Sequence, residues 1–147
     1  MTKEKPFTVV NPKGMPKPDG PYSYAIKVKP TASFTFLSGL ASRDKEGKGL
    51  IGYHFYGKSQ VNPAPTGAYT QTMRAMERIQ EALGSAGATF DDVVNAKIWL
   101  TDISYWEGGA KEAFSKHFHE PYPTITVIAI KRLGLGHLLE IEVVAAV

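Results

Sequence analysis

Two stretches of this chain carry a helical period and six carry strand character, and that imbalance limits the folds open to it more than any other feature. Ala68 to Leu83 sets Tyr69, Met73, Met76, Ile79 and Leu83 at three- and four-residue spacing, with Arg74, Arg78 and Glu81 between them and Gly84 and Gly87 to stop it. Methionines in that pattern are core residues, not cofactor ligands. A weaker helix spans about Tyr105 to Phe118, where Trp106, Ala110, Phe114 and Phe118 stack at i, i+4. Gly108 and Gly109 each cost it about 1 kcal/mol against alanine. The strand candidates are Phe7 to Val10, Tyr22 to Val28, Phe34 to Leu40, Val93 to Leu100, Thr124 to Ile130 and Leu138 to Ala146. Strands and helices interleave without strict alternation, which predicts an α+β domain, one sheet with two helices packed on one face. Two helices leave the other face bare. Its expected inventory, Ile98, Ile125, Val127 and Ala129, is too apolar to stay wet, so a second copy of the chain is expected against it.

Punctuation between these elements sharpens the picture. Asn11 to Pro21 holds Pro12, Gly14, Pro16, Pro18, Gly20 and Pro21, so it is a connector and neither helix nor central strand. Lys29 to Ser33 reads as the turn of a hairpin between the second and third strands. From about residue 41 to 67 an extended loop is expected, charged at its start, glycine-rich, and carrying the aromatic knot Tyr53-His54-Phe55-Tyr56. With 147 residues and no internal repeat, one domain spanning 1–147 is expected. There is no cysteine, which excludes disulfides, thiolate metal sites and a cysteine nucleophile, and which points to the cytoplasm. No secretory leader is expected at Met1 to Phe7, and no apolar run reaches membrane-spanning length. The net charge of +3 implies neither nucleic acid nor a membrane surface as partner.

Chemistry is sparsely signposted. The phosphate-loop, nucleophile-elbow, zincin and EF-hand signatures are absent, and Gly134-Leu-Gly136 lies between strands with no helix to follow. His117 and His119 sit two apart at a helix end and read as surface histidines, so no metal site is expected. Glu140 and Glu142 are i, i+2 on one strand and share a face, while Leu139, Ile141 and Val143 take the other. If the last two strands form a hairpin, Glu140 lies opposite Val127 and Glu142 opposite Ile125. A carboxylate among apolar neighbours is desolvated toward use as an acid or base, whereas a solvated strand face would leave it inert.

Several segments, in order, resemble the reactive-intermediate deaminase (Rid, or YjgF-type) family: Gly20-Pro-Tyr22-Ser, Phe36-Leu-Ser38-Gly39, Ala82 to Asp102, Trp106 to Phe118, and Leu138-Leu-Glu140-Ile-Glu142. The resemblance covers about 120 residues and leaves only Asp44 to Gly67 unaligned. It implies a chorismate-mutase-like fold with one mixed six-stranded sheet, assembled as a homotrimer with clefts between subunits. It also implies hydrolysis of a small enamine or imine to a carbonyl compound and ammonia without metal or organic cofactor. RNA binding or cleavage, proposed for some members, finds no support in the charge pattern.

Carried over position by position, the resemblance makes Tyr22 and Glu140 the catalytic residues, Glu140 positioning the attacking water. Gly39 and Ser38 would contact substrate by their backbone, and Val127 by its carbonyl. One match fails: where the family places an arginine that forks onto the substrate carboxylate, this chain has Ile125, in Pro123-Thr-Ile125-Thr. A guanidinium offers two fixed donors and isoleucine none. Arg43 and Lys131 are the candidate replacements. Ser38-Gly-Leu-Ala-Ser42-Arg43 is similar to a run in the 2-aminomuconate deaminase branch, which also has an extended loop there. The alternative function is a non-hydrolytic small-molecule-binding or regulatory homologue.

Overall fold

A computed structural model describes residues 4–43, 55–56, 59–60 and 65–147, so most of the expected loop at 41–67 lies outside the described residues. The strands are β1 (Phe7–Val10), β2 (Ala25–Val28), β3 (Phe34–Phe36), β4 (Phe55–Tyr56), β5 (Ser59–Gln60), β6 (Val93–Leu100), β7 (Thr124–Ala129) and β8 (Leu139–Ala146). The helices are α1 (Pro65–Ser85) and α2 (Lys111–Ser115), the latter entered through a wider helical turn, Trp106–Ala110. That turn is where the glycine cost shows. Gly109 sits at φ 129°, a conformation closed to other residues, and the regular helix begins only after it.

The centre of the molecule is the four-stranded mixed sheet β3-β8-β6-β7. β6 runs antiparallel to β8 and parallel to β7, with Ile98 opposite both Ile141 and Val127. Residues opposite one another share a face, so Ala96, Ile98, Leu100, Leu139, Ile141 and Val143 form one apolar surface. It joins Met76, Ile79 and Leu83 of α1 and Phe114 of α2 in a single buried cluster. Each of these α1 side chains is fully buried, worth about 1.5–3 kcal/mol apiece.

Three expectations change in detail. The six expected strands form, but hydrogen bonds divide them into this sheet of four and an antiparallel pair β1-β2, whose Phe7 packs on Val94 and Ala146. The second strand therefore pairs with the first, and the third with the last. β7 and β8 form no hairpin either, because β6 lies between them: Glu140 stands opposite Trp99 and Glu142 opposite Lys97. Finally, Ile98 belongs to the helix-covered face, and Ile125, Val127 and Ala129 follow its parity. The bare face carries Lys97, Trp99, Glu140 and Glu142, while Val144 and Ala146 at its far end pack against Phe7; Phe34 and Phe36 are exposed, Phe36 by 75%.

Candidate functional site

Beyond β3 the chain keeps following β8 but with an extra residue. Leu37 donates to the Val143 carbonyl and Leu40 exchanges both bonds with Ile141, so three steps on one side match two on the other. Such a bulge re-aims the residues inside it, here Ser38 and Gly39. Ser38 is exposed. Gly39 abuts Glu140: a Cβ added there would fall 2.8 Å from both Cγ and Cδ of the glutamate. Only glycine leaves the carboxylate where it is.

Glu140 lines a pocket of about 240 Å³ with Gly39, Ala41, Arg43, Arg78, Gly134 and His137. α1 secures the wall, since Arg78 Nη1 donates to the Ala41 carbonyl at 2.7 Å and Arg74 Nε to the Arg43 carbonyl at 2.9 Å. Gln71 Oε1 accepts from the Leu138 amide and so fixes the entry to β8. His137 is 4% exposed, with Nδ1 3.5 Å from Ser42 Oγ and Nε2 buried without a partner among the described residues. Burial, then the charges of Arg43 and Arg78, hold its imidazole below the ordinary histidine pKa.

The other carried-over residues meet elsewhere. Tyr22, Ile125 and Val127 line a pocket of about 300 Å³ with Asp19, Trp106 and Lys111. Tyr22 Oη donates to Asp19 Oδ1 at 3.2 Å, and its ring stands edge-on to Tyr24. Desolvation, then the Asp19 bond and charge, raises the phenol above its usual pKa, so it stays a hydrogen-bond donor at neutral pH. Lys111, which the sequence reading missed, is the cation beside Ile125, ion-paired to Glu107 at 3.1 Å. Its only sequence signal was the i, i+4 spacing of Glu107 and Lys111, ordinary for an exposed helix face. Lys131 is exposed and lines neither pocket.

The two groups occupy opposite edges of one sheet. Ile125 and Val127 lie on the edge strand β7 and face the helix side, while Glu140 faces the bare side two strands away, about 10 Å at ordinary strand spacing. Within a single protomer no small molecule touches both. Glu142 is spoken for by Lys97 at 2.7 Å. Glu140 and the Arg43 guanidinium have neither a hydrogen bond nor an ion pair among the described residues. His117 leans on Phe90 and bonds the Ala113 carbonyl. Among the described residues no three His, Asp or Glu gather as metal ligands, and no helix is long and apolar enough to cross a membrane.

A two-helix layer on one face of a four-stranded mixed sheet is the Rid class of fold. The YyfB protein of Yersinia pestis, from the conserved Rid family and of unknown function, superposes with a TM-score of 0.74 at 21% identity, covering 97% of this chain and 99% of that one. A family model described as Endoribonuclease L-PSP matches residues 13–147, and the chain belongs to that family, the one its ordered motifs resemble. A RutC family protein of Pyrococcus abyssi is 32% identical over 145 residues, 99% of this chain and 98% of its own. A 2-iminobutanoate/2-iminopropanoate deaminase of Capra hircus is 27% identical over 126 residues, 86% of this chain and 80% of its own.

Proposed function

We propose that this protein hydrolyses a small enamine or imine to a carbonyl compound and ammonia, in clefts between the subunits of a cytoplasmic homotrimer. The observation that carries the reading is the contact of Gly39 with Glu140, which holds a carboxylate without a partner among the described residues against a bulged backbone at the rim of a pocket. Glu140 takes a proton from water as the oxygen adds to the iminium carbon, and returns it to nitrogen. The C–N bond then breaks as Glu140 takes the hydroxyl proton, and ammonia departs and carries that proton away as ammonium. Tyr22 turns its hydroxyl proton from Asp19 Oδ1 to the ligand at the other half-site.

Half-sites at opposite edges meet only if the β7 edge of one copy approaches the Glu140 edge of the next. Head-to-tail contacts of that kind close into rings, which agrees with a trimer. Phe34, Phe36 and Trp99 on the bare face supply apolar surface for it. The deaminase name of the goat relative supports the substrate class, and the Ser42-Arg43 run supports a place near the 2-aminomuconate branch.

The deciding experiment is Glu140→Gln, assayed as ammonia release from imines generated in situ and followed against the spontaneous rate. Turnover should fall by about 10²–10⁴-fold with the assembly intact, because the amide keeps the shape and loses the basicity. Glu142→Gln should cost little, its partner Lys97 being remote from the pocket. Full turnover in Glu140→Gln would refute the mechanism. One observation favours a second reading, a binding homologue without hydrolysis: Ile125 in place of the carboxylate-holding arginine. On that reading Glu140→Gln alters ligand affinity alone.

A further inference from the structure

We infer that the Glu140 pocket itself grips the carboxylate of the ligand, through Arg43 and Arg78 with His137 behind them; the inference rests on the reading of Gly39 and Glu140 as part of the ligand cleft. It moves the acid-binding function from the β7 edge, where Ile125 offers no donor, to the opposite edge of the sheet.

The charge balance of the pocket is the first argument. Two guanidiniums and one carboxylate line it. The Arg43 guanidinium has no partner among the described residues. Arg78 spends one N–H on the Ala41 carbonyl, which leaves donors of its fork free and fixes the fork in place. A planar, anchored guanidinium loses little entropy on taking a carboxylate. The repulsion between Glu140 and an incoming acid is outweighed by two cations at the same site.

His137 is an independent argument. Its Nε2 is buried in the pocket wall without a hydrogen bond among the described residues, and a buried polar atom left unsatisfied is costly unless something completes it. The Ser42 hydroxyl lies 3.5 Å from Nδ1, and in the tautomer that carries its proton on Nε2 the ring offers the pocket a donor suited to an anionic oxygen. The space suffices: about 240 Å³ holds roughly eight groups of the size of a water molecule, room for a small acid.

The competing cation is weaker on the same criteria. Lys111 is already paired with Glu107 at 3.1 Å, and its side chain is 37% exposed. To hold a carboxylate it would have to give up that pair in a wetter setting. The substrate class is therefore an imine or enamine of an acid, bound with its carboxylate on the Glu140 side.

Two keto acids, 2-oxobutanoate and the dicarboxylate 2-oxoglutarate, serve as stable product-like probes, with methyl 2-oxobutanoate as the uncharged counterpart. Isothermal calorimetry on the wild-type protein should find at least one acid binding at millimolar concentration or better and the ester not. Arg43→Ala should weaken that binding about tenfold or more. Arg78→Lys, chosen because alanine would release Ala41, should weaken it several-fold, and Lys131→Ala should leave it unchanged. In the wild type the His137 ring proton signals should shift on titration with the acid, a readout that a purely structural Arg43 would not move. The inference is overturned if neither acid binds, if Arg43→Ala binds as the wild type does, or if the loss appears in Lys111→Ala instead. Unchanged binding in Arg43→Ala with turnover still lost in Glu140→Gln breaks the carboxylate assignment and leaves hydrolysis standing. Weakened binding with turnover retained in Glu140→Gln does the reverse.

Discussion

The two edges of the central sheet are built to different standards. At the β3 edge, a bulge presses glycine onto glutamate, and α1 pins the wall with three side-chain bonds, from Gln71, Arg74 and Arg78. At the β7 edge, the Tyr22 hydroxyl bonds Asp19, its neighbour Ser23 is tied to the Tyr122 and Pro123 carbonyls, and the ring faces two aliphatic residues and a lysine already engaged. Charge divides the edges more sharply, with an arginine and a glutamate that lack partners among the described residues at one and an ion-paired lysine at the other. On the proposed reading the reacting carboxylate sits where glycine and α1 fix its surroundings, because misplacing a catalytic group by about 1 Å can cost two orders of magnitude. The apolar β7 edge is suited to shape and specificity.

That contrast can be broken or sharpened by experiment. The largest effect is expected from Gly39→Ala. The atoms in the way are the far end of a flexible side chain, so the fold should survive with little change in thermal midpoint. The carboxylate must swing aside, and turnover should drop on the order of 10²-fold. A large loss of stability instead would show that the bulge, not the glutamate, needs the glycine.

Next, Ile125→Arg returns a fork to the β7 edge. With the carboxylate held by Arg43 and Arg78 at the opposite edge, hydrolysis of 2-iminobutanoate should change by less than about threefold, because the new guanidinium meets no carboxylate there. A gain of tenfold or more would place the acid at the β7 edge and break the carboxylate assignment. A stoichiometric effect tests whether the edges meet across subunits. Tyr22→Ala and Glu140→Gln chains, each inactive alone, should recover about a quarter of wild-type activity when coexpressed in equal amounts, the share of sites in a ring that inherit both intact halves. No recovery would place the whole site within one copy.

The smallest expected effect concerns His137. Its imidazole titrates lower in the folded chain than in the unfolded one, where the value is near 6.5. The unfolded state therefore binds the proton first, so stability is full above about pH 6.5 and falls as the pH drops through the folded value. Urea midpoints between pH 7 and pH 5 should fall less in His137→Gln than in the wild type. Parallel slopes would show that His137 is not the acid-sensitive group.

Much of this was legible without coordinates. Period-two and period-3.6 patterns placed β1, β6 and α1 within a few residues, because burial on one face writes itself into consecutive positions. The ordered motifs carried the family, and Glu140 with Gly39 came with it. Neighbours that share a pocket without sharing a stretch of chain were out of reach. Arg78 was read only as a polar position between the apolar residues of α1, and neither His137 nor Lys111 was singled out. Strand order was decided by tertiary structure alone. A hairpin between β7 and β8 satisfies the local pattern as well as the observed arrangement does. Inserting β6 between them buries both flanks of its apolar residues, which no local pattern records. That insertion turns Ile125 and Glu140 to opposite faces, because pleat parity fixes a side within a strand while only pairing fixes it between strands. The sequence alone determined which residues are available for chemistry. Their division between two pockets at opposite edges of the sheet was settled by packing.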